Sequence, residues 1–86
     1  MTDVRSEILS AYCRLARCRG DWVRIAELRQ QLAHLGHDLV TAELRAMELD
    51  RVAHLVPQAN QKVLTAADHA AAVRIGMDRC HLMSIP

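Results

Sequence analysis

The chain has no phenylalanine, one tyrosine and one tryptophan. Its core must therefore be assembled from Leu, Val, Ile, Met and Ala, a composition that favours helices packed on a small sheet. Charge of one sign is also in short supply: 11 Lys and Arg stand against 10 Asp and Glu, for a net charge of +1. Many small nucleic-acid-binding domains instead use a strong basic excess to displace counterions from phosphates. No stretch approaches the roughly 18 consecutive apolar residues of a membrane span, and the N-terminus lacks the charged start and apolar run of a signal peptide. The chain is expected in the cytoplasm, with no membrane partner.

Cysteine is sparse and odd in number. Cys13, Cys18 and Cys80, in a chain without a secretion signal, argue against a disulfide framework and are expected to be reduced and partly buried. His34, His37, His54, His69 and His81 invite a metal reading, yet no zinc spacing such as C-x-x-C occurs. Cys80 and His81 are adjacent, and neighbours in a strand point to opposite faces, so they do not easily share one ion. No metal and no cofactor are expected. Nor is there a phosphate loop, a nucleophile elbow or a glycine-lined pair of carboxylates, so the chain is not expected to be an enzyme. Gly20, Gly36 and Gly76, the three glycines, each follow a helical segment and read as stop signals.

What is present fits one domain over residues 1–86, because a chain of this length has room for one core. Val4, Ile8, Leu9, Tyr12, Leu15 and Ala16 fall on one face of a first helix between Asp3 and Cys18. Asp3 is placed to cap it, and Arg14, Arg17 and Arg19 crowd its C-terminal end, where the macrodipole favours cations. The short β-branched stretch Trp22–Ile25 suits a one-bridge strand, with Trp22 expected in the core at the corner between two helices. A second helix is predicted over Ile25–His34, with Ile25, Leu28 and Leu32 facing inward. Asp38 reads as the N-cap of a third, which carries Val40, Leu44 and Met47 on one face and runs to about Asp50. Val52–Val56 alternates and stops at Pro57, as a strand does. Thr65 and Asp68 have capping-box spacing ahead of a fourth helix, Ala66–Ile75. Cys80–Ile85 reads as a strand able to pair antiparallel with Val52–Val56. The fold class expected is α+β, mainly helical.

From Ile8 to Ile85, and above all in the segment WVRIAELRQQLAHLGHDLVTAELRAMELDRVAHLVP, the chain resembles the winged helix-turn-helix domain of bacterial transcription regulators. The resemblance implies a three-helix core with a small antiparallel sheet, here with an extra helix inserted in the wing. It also implies double-stranded DNA as partner, a role in transcription regulation or as an accessory DNA-binding factor, and a homodimer. Arg51 stands where the family often has glycine. The contact residues that follow are Thr41 and Arg45 on the third helix, Arg24 and Arg29 (with Arg19) around the first two, Arg51 beside the strand, and Gln58, Asn60, Gln61 and Lys62 in the wing region; such groups suit phosphate and base contacts.

The third helix also points elsewhere. Asp38, Glu43, Glu48 and Asp50 make it acidic, and Leu39, Ala42, Ala46 and Leu49 fall opposite the Val40–Leu44–Met47 stripe at about 100° per residue. Leu39 and Leu49 are either covered by the fourth helix or the chain termini, or they form a surface for a second copy or a protein partner. The alternative function is thus a protein-interaction or dimerisation module that does not bind DNA.

Overall fold

A computed structural model describes residues 3–18 and 20–86. Arg19, read above with the basic cluster, lies outside the described residues. The chain is α+β and mainly helical: α1 (Val4–Leu15), β1 (Val23–Arg24), α2 (Ile25–Gln31), α3 (His37–Leu49), β2 (His54–Val56), a short 3-10 turn (Gln61–Val63), α4 (Ala66–Ala71), β3 (Val73–Ile75), β4 (Asp78–Cys80) and β5 (Leu82–Ser84). Two small antiparallel sheets form, one in the order β1-β5-β2 and one from the hairpin β3-β4.

The C-terminal strand is central. Met83 of β5 faces Val23 on one side and Leu55 on the other, and all three are buried. Each such side chain contributes about 1.5–3 kcal/mol of burial, so this row ties the two ends of the chain to the middle. Gly20, at φ 84°, turns the chain back from α1; its N–H donates to the Ile85 carbonyl at 3.1 Å, and its own carbonyl accepts the Ser84 hydroxyl at 2.8 Å. On the inner faces of the helices, Ile8, Ala11 and Tyr12 of α1, Ile25 and Leu28 of α2, and Val40, Leu44 and Met47 of α3 meet in one aliphatic core.

Two caps form as the sequence requires. The Asp3 carboxylate accepts the Ser6 N–H at 2.7 Å, which holds its pKa below the ordinary value. Thr65 and Asp68 make a full capping box at α4. Other boundaries differ. Rather than continuing to His34, α2 stops at Gln31, because the chain tightens into turns that drop Leu32 into the core. Gly36, not Asp38, caps α3 by taking an extended conformation and accepting the Val40 N–H, so Asp38 sits in the first turn. The fourth helix ends at Ala71 and not at Ile75, where burial of Val73 against Cys80 favours a hairpin.

Gly76 is accordingly not a helix stop. It opens the two-residue hairpin turn Gly76-Met77 at φ 61°, the sign that primed hairpin turns need. The strand expected over Cys80–Ile85 splits in two at His81, and Val52 and Ala53 precede β2 instead of joining it. Trp22 is 49% exposed, not part of the core. Its corner is held instead by Tyr12, whose hydroxyl donates to the Asp21 carbonyl at 2.6 Å. Of the cysteines, Cys13 and Cys18 are exposed, against expectation, and only Cys80 is buried, which pushes its thiol pKa up.

Candidate nucleic-acid interface

The arginines decide what this surface can do, because a guanidinium held by a carboxylate, or with several of its nitrogens held by protein acceptors, has little left for a phosphate. Arg24 is committed. From β1 its Nη2 and Nε reach both oxygens of Asp68, the shortest contact being 2.7 Å. The Asp68 carboxylate is buried and also accepts the Thr65 N–H at 2.9 Å and the Thr65 hydroxyl at 3.0 Å. The Thr65 backbone bond first, and Arg24 second, hold its pKa below the ordinary value.

Arg29 is committed as well. Its Nε donates to the Ala71 carbonyl at 2.9 Å, Nη1 to the His37 carbonyl at 3.1 Å and Nη2 to the Thr41 hydroxyl at 2.6 Å. One side chain therefore fastens α2 to the end of α4 and the start of α3. Burial pushes its pKa down from the ordinary arginine value. Arg24, Arg29 and Thr41, three of the residues expected at DNA, thus already hold the fold together.

The polar segment after β2 is mostly engaged with itself. Asn60 caps the 3-10 turn by accepting the Lys62 N–H at 3.1 Å, and the Gln58 side chain accepts the Asn60 N–H at 3.3 Å. The Gln58 N–H donates to Nδ1 of buried His81 at 3.1 Å, and Gln61 donates to the Gln58 carbonyl. Arg51 and Lys62 are exposed and make no ion pair among the described residues. Arg51 sits at φ 61°, a glycine-favouring conformation.

A different cationic group stands where α3 meets the hairpin. Arg45, exposed on α3, donates through Nε to the Arg74 carbonyl of β3 at 3.0 Å. Arg74 is in register with Arg79 across the β3-β4 pair, on the hairpin face opposite Val73 and Cys80, and both are exposed. Arg74 in turn donates through Nε to the Gly76 carbonyl at 3.3 Å, so Arg45 and Arg74 each spend one nitrogen on a carbonyl, but none of the three forms an ion pair with a carboxylate among the described residues. Like charges directly opposite destabilise a strand pair, so an anion placed between them relieves a repulsion as well as gaining charge-assisted bonds. Arg45 and Arg74 also share a shallow groove with Glu48, Leu49, Ile75 and Gly76. One oxygen of Glu48 accepts the Leu55 N–H at 2.9 Å; Asp50, which pairs with Arg5, and Asp78 are the exposed acids nearest in sequence.

Arg74 and Arg79 are absent from the contact residues read from sequence, since Arg74 fell inside the helix expected to reach Ile75. The signal was present in Val73-Arg74-Ile75-Gly76-Met77-Asp78-Arg79-Cys80, a short alternation on both sides of a glycine turn.

On the far face of α3, Leu39 is 51% and Leu49 82% exposed, so among the described residues neither α4 nor the chain ends cover them. The other flank of α3 is acidic and occupied: Arg5 of α1 pairs with Glu43 at 2.8 Å and with Asp50 at 2.9 Å. Among the described residues no three His, Cys, Asp or Glu side chains gather to hold a metal, and no helix is long and apolar enough to cross a membrane. Comparison with protein-family models, with curated proteins and with solved structures gives no match, so the chemistry of this surface alone carries the functional reading.

Proposed function

We propose that the chain is a winged-helix DNA-binding module whose Arg45, Arg74 and Arg79 grip the phosphate backbone of duplex DNA. The observation that carries this reading is the gathering of three arginines without carboxylate partners at the junction of α3 and the β3-β4 hairpin. Guanidinium groups hold phosphates through charge-assisted, often bidentate bonds. The element order, with a β1-β5-β2 sheet behind three helices, supports the same reading, the hairpin standing in the stretch between β2 and β5 where a wing belongs. Exposed Arg51 and Lys62 add cations. The outward face of α3 offers Arg45 alone among cations, so the contacts proposed are to phosphates and only weakly to base edges.

The exposed apolar residues of α3 favour a second reading, a protein-interaction module that does not bind DNA. Fluorescence anisotropy with a short mixed-sequence duplex separates the two. Three phosphate contacts give an affinity that falls with salt at a log–log slope of about −3, and the double substitution Arg74→Ala, Arg79→Ala flattens it by about two. Absence of binding at low ionic strength, or binding indifferent to the double substitution, refutes the proposal.

A further inference from the structure

Residues 57–64 join β2 to α4, and no side chain among them is buried. Burial therefore does little to hold this segment, and its hydrogen bonds decide where it sits. Most of them close on the segment itself. The carbonyl and side chain of Gln58 accept from Gln61 and Asn60, Asn60 accepts from Lys62 and Val63, and the Gln61 carbonyl accepts from Leu64. Pro57 has no N–H to donate. Among the described residues one hydrogen bond leaves the segment for the rest of the fold, from the Gln58 N–H to Nδ1 of His81 at 3.1 Å.

A backbone N–H can only donate, so the neutral ring carries its proton on Nε2 and offers Nδ1 as the acceptor. A second proton on His81 takes that same lone pair. Two donors then face each other at hydrogen-bonding distance, and an attraction becomes a repulsion. His81 is poorly placed to retreat: its N–H donates to the Val56 carbonyl at 2.9 Å, its carbonyl accepts the Ile25 N–H at 3.0 Å, and the residue is buried. The segment is the part left to yield. At its far end the capping box of Thr65 and Asp68 fixes the start of α4, so the movable stretch ends at Leu64.

The charges around the ring oppose a second proton. From α4, His69 stands edge-on with its ring centroid 6.2 Å away, and Asp68 supplies a carboxylate; β4 brings Arg79. Arg24 of β1, together with uncharged Gln58, Val63, Leu64 and Leu82, lines the cavity of about 140 Å³ between the segment and His81. The carboxylate is already answered, since Arg24 meets Asp68 at 2.7 Å. Burial first, and His69 second, hold the His81 pKa below 6.5, so at pH 7 the ring is neutral and the bond to Gln58 is made.

We infer that residues 57–64 are a proton-released strap: protonation of His81 at Nδ1 breaks the bond that ties them to the body of the fold, frees Asn60, Gln61 and Lys62, and opens the cavity over the Arg24–Asp68 pair, while the helices and both sheets stay formed. The strap works whether or not the chain binds DNA.

NMR of the full chain between pH 8 and pH 4 tests it. Imidazole shifts give the titration midpoint of His81, and backbone amide relaxation gives the order of the strap at each pH. Order parameters of Asn60–Val63 are expected near the rigid value of about 0.85 at pH 7 and below about 0.6 once His81 has titrated, with those of α3 and β5 unchanged. His81→Asn keeps a neutral acceptor where Nδ1 stood, and its strap stays ordered to pH 4. His81→Phe has no acceptor, and its strap is mobile already at pH 7. A strap still ordered after the ring has titrated, or a ring that does not titrate down to pH 4, overturns the inference. So does a loss of order in α3 and β5 at the same midpoint, which is acid unfolding of the whole chain, or a His81→Asn strap that loosens at the same pH as the parent. Should His81→Phe fail to fold, the parent titration and His81→Asn decide between these outcomes.

Discussion

Arg24 and Arg79 are the same kind of side chain on two neighbouring parts of one small domain, and they answer to different physics. Arg24 meets a buried carboxylate with two nitrogens, and that carboxylate is anchored by a capping box. Arg79 faces Arg74 across a two-stranded hairpin and forms no ion pair among the described residues. The first arrangement lowers the energy of the folded chain. The second sets like charges opposite each other on a strand pair, which is unfavourable in itself. Arginines of this chain thus include a structural set, Arg5, Arg24 and Arg29, and a set at the hairpin without carboxylate partners among the described residues, Arg45, Arg74 and Arg79.

The sharpest way to break this division is Asp68→Ala. It removes the N3 member of a capping box and strands Arg24 beside a vacated site, so urea denaturation is expected to show a loss of about 2–3 kcal/mol. A loss within a few tenths of zero would place Arg24 with the hairpin set.

Acid provides the next test. His81 is buried, accepts the Gln58 N–H at Nδ1, and is faced by His69, Asp68 and Arg79. Burial first, and His69 second, hold its pKa below 6.5. The unfolded chain therefore binds a proton there before the folded one does, and the stability conferred by the neutral ring is present above pH 6.5 and lost as pH falls through the folded value. Asp68, held below 3.8, adds a second loss as pH falls below that value. Thermal melting at pH 7 and pH 5 is expected to show the lower midpoint at pH 5; an unchanged or higher one counts against a buried neutral His81.

Smaller still is Arg51→Gly. The backbone there is at φ 61°, where a side chain costs roughly 1 kcal/mol, so glycine is expected to stabilise the fold by up to that amount while removing one cation from the surface. A destabilised variant would mean that the Arg51 side chain itself contributes to packing. Smallest is Arg79→Thr, expected to leave stability equal or to raise it by a few tenths of a kcal/mol by relieving the Arg74–Arg79 repulsion. A loss above about 1 kcal/mol in the same denaturation assay would show that Arg79 belongs with Arg24.

Patterns of local origin were legible in the sequence. The helical periodicity of Ile8 to Leu15 and of Val40 to Met47, the caps at Asp3 and Thr65, and the pairing of the stretch before Pro57 with the C-terminal end all rest on residues a few positions apart or on alternation within a strand. The hairpin was missed because Ala66–Ile75 is rich in alanine, and local propensity continues a helix where burial of Val73 against Cys80 ends it. Trp22 was misplaced for a similar reason. Its apolar neighbours suggest burial, yet Tyr12 and Val23 already fill the corner.

The sequence alone therefore determined the number and order of the long helices, the aliphatic core, the apolar strip on α3 and the near balance of charge, because each is a property of spacing or composition. Only the tertiary structure decided which charges are spent. Arg24 and Asp68 are 44 residues apart, and Arg29 and Ala71 are 42 apart. No local pattern marks such pairs, because the energy that joins them exists only once the chain between them has folded and the water around them has been displaced. The hairpin arginines are defined the same way, by carboxylates that folding has carried elsewhere.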